Sequence, residues 1–477
     1  MNQIINLLLR FRMFLIRIRL TNPLLNAARN PHTVQSKVLL DILGDQKDTE
    51  FGREYNFSKL QSIEDFRQQV PIFEYEAFRP YIEQQRKSHK PVLNHEDVVF
   101  YATTSGTTGV PKYIPILRSS LDSHKRSQKV LSESVYRAQP KTFKGKIVAI
   151  VSPAEEGRLE DGSVYGAVSG LVHQSMPALT RRKYLLPYKV LEIKDSDLKY
   201  LLIALFCLSE ESTTLLATAN PSTVIRLLEV VNEKFSLLIE ILKSRNFSIV
   251  PGINGELRNL LNEKIHPSLN RIRHLENSWS HGSAITYKEI WPDLQTVVCW
   301  TKGSCSVLLP KVRSLVPGFT KIIEMGYISS EFRGTVLIDG SRNLCLPTLT
   351  DNFYEFVLKE DWEEGNRRFL NLAQLTSGDL YYIFVTTRNG LYRYFINDIV
   401  QVVGFYESTP LIDFVQKGKG VTNLTGEKLY ESQLMNAMTF CQESLGIQLI
   451  FYIGIADPKS LEYRVYIEGS QGVSIKS

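Results

Sequence analysis

The stretch TTSGTTGVPK, residues 103–112, comes one residue after the apolar run VVFY at 98–101. Its glycines and hydroxyl residues can surround an anion with backbone N–H groups and side-chain donors, and Lys112 can neutralise part of the charge. The common nucleotide-kinase loop is excluded, because Gly106 and Gly109 are too close together and Pro111 precedes the lysine. The stretch therefore predicts a phosphate loop of another type, with a glycine-rich surface turn as the alternative.

Length and charge narrow the classes of protein. The chain has 477 residues, 43% of them hydrophobic, and a net charge of 56 − 50 = +6. This length predicts two to four domains, or one large catalytic domain with a small partner. The charges are spread along the chain without a Lys/Arg tract, so the sequence favours a small anionic substrate and predicts no nucleic-acid partner.

The five cysteines indicate a reducing compartment. Their number is odd, they lie far apart, and they form neither a Cys-x-x-Cys pair nor a zinc-type pattern with histidine. We therefore predict a cytoplasmic protein with no transition-metal site.

The first residues raise the question of a membrane. The run INLLLRFRMFLIRIRL at 5–20 is apolar but interrupted by four arginines, so it is too short to span a bilayer. The sequence after it, Thr21-Asn22-Pro23, is not a signal-peptidase site. We predict a helix that packs on the body of the protein without stable membrane insertion, with contact to a membrane surface as the alternative.

Helical and strand patterns alternate and predict an α/β fold. Asn220-Pro221 supplies a helix cap and a first-turn proline for one long amphipathic helix, residues 221–245. The runs KIVAIVS, QTVVCWT and YYIFVTT are typical of buried strands. Asn389-Gly390 predicts a tight hairpin turn between two antiparallel strands.

The last sixty residues predict a separate small unit. Two Lys-Gly steps in FVQKGKG indicate a junction near 412–418. Beyond it the pattern predicts a strand, a helix at 431–444, a strand at 448–455 and a strand at 463–467.

Three motifs in order resemble the adenylate-forming enzymes. TTSGTTGVPK resembles their phosphate loop, GYISSE at 326–331 their adenine-and-metal motif, and YRYFIND at 392–398 their ribose motif. Within that superfamily the stretches at 49–84, 290–304 and 414–433 are similar to the auxin-responsive acyl-acid amido synthetase family, which conjugates acids such as jasmonate and indole acetate. The likeness extends from about residue 35 to the end.

The resemblance implies an adenylate-forming fold. It implies a large N-terminal domain of mixed sheets and helices, residues 1–413 with a helical lead-in. A small, mobile and shortened α+β C-terminal domain, residues 414–477, would follow it and move between two half-reactions. The family usually continues for several more strands and a helix beyond SQGVSIKS.

The resemblance also implies a site that binds ATP and Mg²⁺. Tyr327 would contact adenine, Ser330 the α-phosphate and Asp398 the ribose, and Glu331 would bind Mg²⁺, which prefers oxygen ligands. Lys112 and Lys428 would be the catalytic cations. The nucleotide-binding set is Ser105, Gly106, Thr107, Thr108, Gly109, Lys112, Tyr327, Ser330 and Asp398.

Each motif also has a plainer interpretation. GYISSE suits a strand end that runs into a capped turn, Asp398 an edge-strand carboxylate, and Lys428 a solvated lysine. The sequence also departs from the family at Asn397, where plant members carry glycine; asparagine is the next most tolerant residue of positive φ.

The implied activity is the ATP-dependent joining of a small carboxylic acid to an amino acid, with release of AMP and pyrophosphate. The protein is expected to be a monomer. Two alternatives stay open, an acyl-CoA ligase or acyl-transferring relative and a non-catalytic descendant that binds nucleotide or acid. The acid is not identified: residues 165–177 and 300–304 are candidates for its pocket, but apolar runs also suit the core.

Overall fold

The structure is a computed structural model that describes residues 2–104, 111–279, 284–418, 421–422, 429–447, 449–457 and 462–469. Its strands, in chain order, are β1 (Val98–Thr104), β2 (Lys112–Leu117), β3 (Lys146–Ile150), β4 (Gly157–Arg158), β5 (Val164–Gly166), β6 (Thr213–Thr218), β7 (Thr296–Cys299), β8 (Lys321–Glu324), β9 (Thr335–Asp339), β10 (Leu344–Pro347), β11 (Phe353–Leu358), β12 (Leu380–Thr386), β13 (Tyr394–Tyr406), β14 (Thr409–Lys417), β15 (Val421–Thr422), β16 (Leu429–Tyr430), β17 (Leu449–Asp457) and β18 (Glu462–Gly469).

Helices account for most of the remaining described chain. The α-helices are α1 (Asn2–Ile16), α2 (Asn22–Ala27), α3 (Pro31–Gln46), α4 (Glu50–Glu54), α5 (Ile63–Gln69), α6 (Tyr75–Ser88), α7 (Arg118–Ala138), α8 (Val168–Gln174), α9 (Ala178–Arg181), α10 (Tyr188–Leu191), α11 (Ser196–Ser209), α12 (Pro221–Glu233), α13 (Phe235–Ser244), α14 (Gly255–Lys264), α15 (Leu269–Trp279), α16 (Tyr287–Ile290), α17 (Leu309–Leu315), α18 (Lys359–Glu363) and α19 (Glu431–Leu445). A π-helical turn, Arg17–Thr21, joins α1 to α2, and short 3₁₀ turns complete the set.

Three four-stranded sheets form the body. The first, in the order β3-β6-β7-β8, is parallel throughout, and most of its residues are buried, as expected when both faces are covered. The second, β11-β12-β13-β14, is antiparallel. The third, β2-β1-β5-β4, contains the two strands on either side of the predicted phosphate loop. The α/β prediction is therefore confirmed.

The predicted long helix at 221–245 is wrong in one respect. The chain forms two helices, α12 and α13, because Lys234 leaves the helical region at φ −110° and ψ 15°. Phe235 then stacks on Trp279 with ring centroids 4.3 Å apart, a tertiary contact that the helical period alone does not contain. The predicted cap is confirmed, since the Asn220 side chain accepts a hydrogen bond from the Ser222 N–H at 2.9 Å.

The predicted tight hairpin at Asn389-Gly390 is also only partly right. The two strands are antiparallel and Gly390 has φ 87°, but β12 ends at Thr386 and β13 begins at Tyr394. The loop is longer because Arg393, at φ 43°, turns into the core, where its Nε lies 2.9 Å from the Glu355 carboxylate. A buried ion pair therefore sets the length of this connection.

The elements predicted for the end of the chain are confirmed. α19 is followed by the antiparallel pair β17 and β18, and a side chain at Gly454 would meet Leu434, so the helix packs on this small sheet. The boundary between residues 413 and 414 stays a prediction. β14 crosses that position and continues to Lys417.

The N-terminal residues form the predicted helix. Met13 and Ile16 of α1 are buried, and α1 contacts α7 of the body. Among the residues described, no helix has the length and apolar character needed to cross a bilayer.

A buried histidine predicts how stability depends on pH. His124 lies on α7, and burial, followed by the charge of Arg333, lowers its pKa from 6.5 to about 4. Since the unfolded chain binds this proton more tightly, the stabilisation is complete above pH 6.5 and is lost as pH falls toward 4. Between pH 7 and pH 5 the free energy of unfolding should fall by about 2 kcal/mol through this residue. Denaturant titrations at pH 7 and pH 5 should show that His124→Gln removes this loss of stability, whereas the exposed control His266→Gln keeps it. An equal change in the free energy of unfolding with pH in the unchanged protein and both variants would contradict the assignment.

Candidate active site

A cavity of about 310 Å³ opens at the carboxyl edge of the parallel sheet. Three of its lining residues follow the ends of neighbouring strands: Asn220 after β6, Trp300 after β7 and Gly326 after β8. Ligands of open α/β sheets bind at this edge, where the strand ends leave a crevice. The cavity is therefore the first candidate for a binding site.

The antiparallel sheet supplies the opposite wall. Asp398 of β13 and Phe414 and Lys417 of β14 line the same cavity. Tyr327, from the turn after β8, stacks on Phe414 with ring centroids 5.6 Å apart and an interplanar angle of 19°. Two motifs from distant parts of the chain thus meet in one space.

The predicted adenine and ribose residues are in direct contact. The Tyr327 hydroxyl donates a short hydrogen bond to Asp398 Oδ2. Burial, and next the Asp398 carboxylate, raise the pKa of Tyr327 well above its usual value, so the phenol keeps its proton and acts as the donor.

Lys417 is a site residue that the sequence interpretation missed. It is the register partner of Asp398 across β13 and β14, and its ammonium pairs with Asp398 Oδ1. Burial raises the pKa of Asp398, and Lys417 opposes that rise by stabilising the carboxylate. Tyr327 therefore hydrogen-bonds one carboxylate oxygen, and Lys417 forms an ion pair with the other.

The departure from the family at Asn397 leaves the turn intact. Asn397 has φ 61°, the conformation that glycine would adopt there, and its carbonyl accepts from the Gly418 N–H at 2.8 Å. A side chain at Gly418 would lie 2.4 Å from the Tyr382 ring and 2.5 Å from Asn397 Oδ1. A larger residue at 418 would therefore force the side chain of Tyr382 or Asn397 to move.

Ser330 and Glu331 lie beside the cavity, toward the third sheet. The Ser330 hydroxyl donates to the Thr103 carbonyl at 2.9 Å, one residue before the end of β1. Glu331 is only 6% exposed, and its Oε1 lies 3.3 Å from the Tyr394 hydroxyl. It makes no ion pair with any residue that the structure describes. A buried carboxylate without a cationic side chain fits a divalent cation, which would supply the missing charge.

Lys112 stands at the base of the predicted phosphate loop. It is the first residue of β2, is paired in register with Thr104, and its Nζ lies 5.4 Å from the centre of the Tyr75 ring. The loop positions Ser105, Gly106, Thr107, Thr108 and Gly109 lie outside the described residues, as does Lys428. Strands β1 and β2 lead into that loop from the side of Ser330 and Glu331.

One of the two candidate acid-binding segments reaches the cavity. Trp300, Lys302 and Ser304 line it, whereas its described lining residues include none from 165–177. The second segment lies nearer the loop, since Gly166 is paired in register with Ala102 of β1.

Glu324 is a further residue that the sequence did not point to. It lines the cavity, is buried, and accepts hydrogen bonds from the Thr301 N–H at 2.6 Å and the Gly326 N–H at 2.8 Å. Burial raises the pKa of this carboxyl. Glu324 therefore joins the turns after β7 and β8 and holds the cavity wall in shape.

Comparison with known proteins places the chain in a family. Residues 21–322 match the model of the GH3 family N-terminal domain, and residues 345–417 match the GH3 family central domain. The chain is 23% identical over 467 residues to indole-3-acetic acid-amido synthetase GH3.3 of Arabidopsis thaliana, with 92% of this chain and 77% of that protein aligned. It is 24% identical over 480 residues to GH3.2 of the same plant, an indole-3-acetic acid-amido synthetase, with 92% and 84% aligned.

Solved structures agree on the fold. The acyl acid amido synthetase AtGH3.15 superposes with a TM-score of 0.84 at 20% identity, over 96% of this chain and 82% of that one. The 2-hydroxyisobutyryl-CoA ligase bound to 2-HIB-AMP superposes with a TM-score of 0.57 at 14% identity, over 93% and 79%. The chain, whose family model covers more than half of its length, belongs to the GH3 family and has the fold of the adenylate-forming enzymes, as its three ordered motifs predict.

Proposed function

We propose that this GH3 family member is an ATP-dependent acyl-acid amido synthetase, a ligase that forms an acid–amino-acid C–N bond through an acyl-adenylate. The observation that carries the proposal is the hydrogen bond between Tyr327 and Asp398, which brings the adenine and ribose motifs, 71 residues apart, into one cavity. The activities named for the Arabidopsis relatives support the same reaction class.

The reaction has two steps whose atoms balance. A carboxylate oxygen of the acid attacks the α-phosphorus of ATP, and pyrophosphate leaves. The neutral amine of an amino acid then attacks the acyl carbon and gives up a proton to solvent, and AMP leaves with the oxygen that came from the acid. Both steps ask the protein to position anions and to stabilise developing negative charge.

The described residues divide the binding of ATP between them. Tyr327 would contact the adenine, and Asp398, fixed by Lys417, would accept from the ribose hydroxyls, since each carboxylate oxygen has more than one acceptor site. Ser330 would lie at the α-phosphate. Lys112 and the loop residues Ser105, Gly106, Thr107, Thr108 and Gly109 would bind the β- and γ-phosphates, a role that the placement of β1 and β2 supports.

Glu331 would hold Mg²⁺ together with the phosphates. When bound, the ion neutralises phosphate charge and favours departure of pyrophosphate. The burial of Glu331 among residues without a described cationic partner supports this role. Tyr394 keeps its proton, because burial and next the Glu331 carboxylate raise its pKa, and it can orient the carboxylate by a hydrogen bond.

The remaining assignments concern the second step, the cellular compartment, the oligomeric state and the binding partners. We assign Lys428 to the C-terminal unit that swings toward the site in one half-reaction. We also assign the protein to the cytoplasm as a monomer that binds a small carboxylic acid and an amino acid but no nucleic acid. The five dispersed cysteines support a reducing compartment.

Acceptor-dependent release of AMP tests this function against the alternatives. The full chain is incubated with ATP, Mg²⁺ and a panel of carboxylic acids, and AMP is measured with amino acids, with CoA, or with neither. We expect AMP release and an amide product only with an acid and an amino acid together. Release of AMP with an acid and CoA, in the absence of an amino acid, would show an acyl-CoA ligase. Absence of pyrophosphate release with every acid would favour a non-catalytic binding protein.

A further inference from the structure

Helix α1 and the π-helical turn after it display an apolar stripe that the proposed function leaves unexplained. Leu7, Phe11, Phe14 and Ile18 are 66%, 59%, 56% and 47% exposed. Their spacings of four, three and four residues place them along one side of the helix. We call these four residues the N-terminal stripe. It lies before residue 21, where the match to the GH3 N-terminal domain begins.

The rest of the helix is anchored, so the stripe stays on the surface. Met13 and Ile16 are buried on the opposite side, and α1 packs on α7. Arg17, just beyond α1, lies 3.5 Å from the Glu133 carboxylate of α7. The stripe therefore faces away from the body rather than into it.

Positive charge accompanies the stripe on both sides. Arg10 and Arg12 lie on α1, and Arg17 and Arg19 follow seven residues further along, in the π-helical turn after it. The sequence has no aspartate or glutamate before Asp41. Glu133, which pairs with Arg17 just beyond α1, is buried and is shared by two arginines, as Arg137 also lies 2.9 Å from it.

The basic surface continues onto the body of the protein. The Arg12 guanidinium donates to the Thr180 hydroxyl at 3.1 Å, and the next two residues, Arg181 and Arg182, are exposed. Lys146 also lies here, with its ammonium 3.2 Å from the Arg182 carbonyl. The partner of this surface must therefore present both apolar groups and negative charge.

The geometry points to an anionic lipid bilayer as the occupant, with α1 lying in the plane of the membrane surface. The N-terminal stripe would enter the boundary between headgroups and acyl chains, while the arginines extend their charges to the lipid phosphates. A second copy of the chain fits poorly, because stripe-to-stripe contact would bring four arginines against four others. The membrane contact is peripheral, and the cavity at the carboxyl edge of the parallel sheet stays in the protein body.

Vesicle flotation with the full chain tests the inference. We expect binding to phosphatidylcholine vesicles that contain about 30% phosphatidylserine, weaker binding to phosphatidylcholine alone, and release in about 0.5 M NaCl, which screens the arginines. Arg10→Gln with Arg19→Gln should weaken binding about thirtyfold, since each arginine near an anionic surface contributes about fivefold. Phe11→Ser with Phe14→Ser should abolish it.

Matched controls distinguish binding through the N-terminal stripe from nonspecific hydrophobic binding. Leu269→Ser and Phe319→Ser remove apolar side chains that are 71% and 53% exposed elsewhere, and both should bind like the unchanged protein. All variants should keep acid-dependent pyrophosphate release, which shows that they are folded. Equal flotation of the Phe11/Phe14 variant and the unchanged protein would overturn the inference. Absence of flotation of the unchanged protein would also overturn it. Self-association in sedimentation that requires Phe11 and Phe14, without binding to vesicles, would overturn it as well.

Discussion

Replacing Glu331 with glutamine is expected to lower acid-dependent pyrophosphate release by a factor of about 10²–10³. The amide keeps the shape of the side chain and can still accept from the Tyr394 hydroxyl, now 3.3 Å away, but it loses the charge that would hold Mg²⁺. The loss should therefore fall on the chemical step and on the requirement for metal. Initial rates are measured over a range of Mg²⁺ concentrations at saturating ATP and acid.

The control for this variant is an exposed glutamate on the same protein. Glu360→Gln, on the surface helix α18, should leave both the rate and the Mg²⁺ dependence unchanged. We also expect excess EDTA to stop the unchanged enzyme. An active Glu331→Gln protein with an unaltered Mg²⁺ dependence would show that the metal is held elsewhere.

Removal of the chain after Gly418 is expected to abolish amide formation while nucleotide binding survives. The predicted boundary lies between 413 and 414, but a cut there would remove Lys417 from β14 and with it the ion pair to Asp398. A cut after Gly418 keeps that pair and the hydrogen bond from Gly418 to Asn397, and it retains every described residue that lines the cavity. The lost segment carries Lys428 and the unit that we propose to close the site.

Two separate measurements decide this prediction. Nucleotide affinity is measured by calorimetry, and amide formation by amino-acid-dependent release of AMP. Lys428→Ala in the full chain is the companion variant, because it removes one charge and leaves the domain in place. Loss of ATP binding on truncation would show that the C-terminal unit is needed to bind nucleotide. Full amide synthesis without the segment would show that this unit is not needed for the second step.

The sequence predicted elements well where a local pattern decides them. The strands β3, β7 and β12 occupy the apolar runs KIVAIVS, QTVVCWT and YYIFVTT, and Asn397 adopts the positive φ that its residue type tolerates. It failed where a distant contact overrides the local pattern. The helix break at Lys234 goes with the stacking of Phe235 on Trp279, and the long loop before Tyr394 depends on the ion pair of Arg393 with Glu355.

The candidate site shows the same division. Motif order was enough to name Tyr327 and Asp398, which the structure places in contact. Lys417 was missed although the sequence contains a signal for it. Tyr406 and Thr409 pair in register on either side of a turn, and Asp398 and Lys417 are equally distant from that turn along the chain. Glu324 carried no such signal, since its role depends on hydrogen bonds to the turns after two neighbouring strands.

Transfer of ¹⁸O from the acid is the most direct test of the central claim, that the acid is activated as an acyl-adenylate. The full chain is supplied with ATP, Mg²⁺, an amino acid and a carboxylic acid that carries ¹⁸O in both carboxylate oxygens, and the products are analysed by mass spectrometry. Attack on the α-phosphorus predicts one ¹⁸O atom in AMP, unlabelled pyrophosphate and one ¹⁸O atom in the amide. Formation of ADP with ¹⁸O in inorganic phosphate, or an amide product without label in AMP, would contradict it.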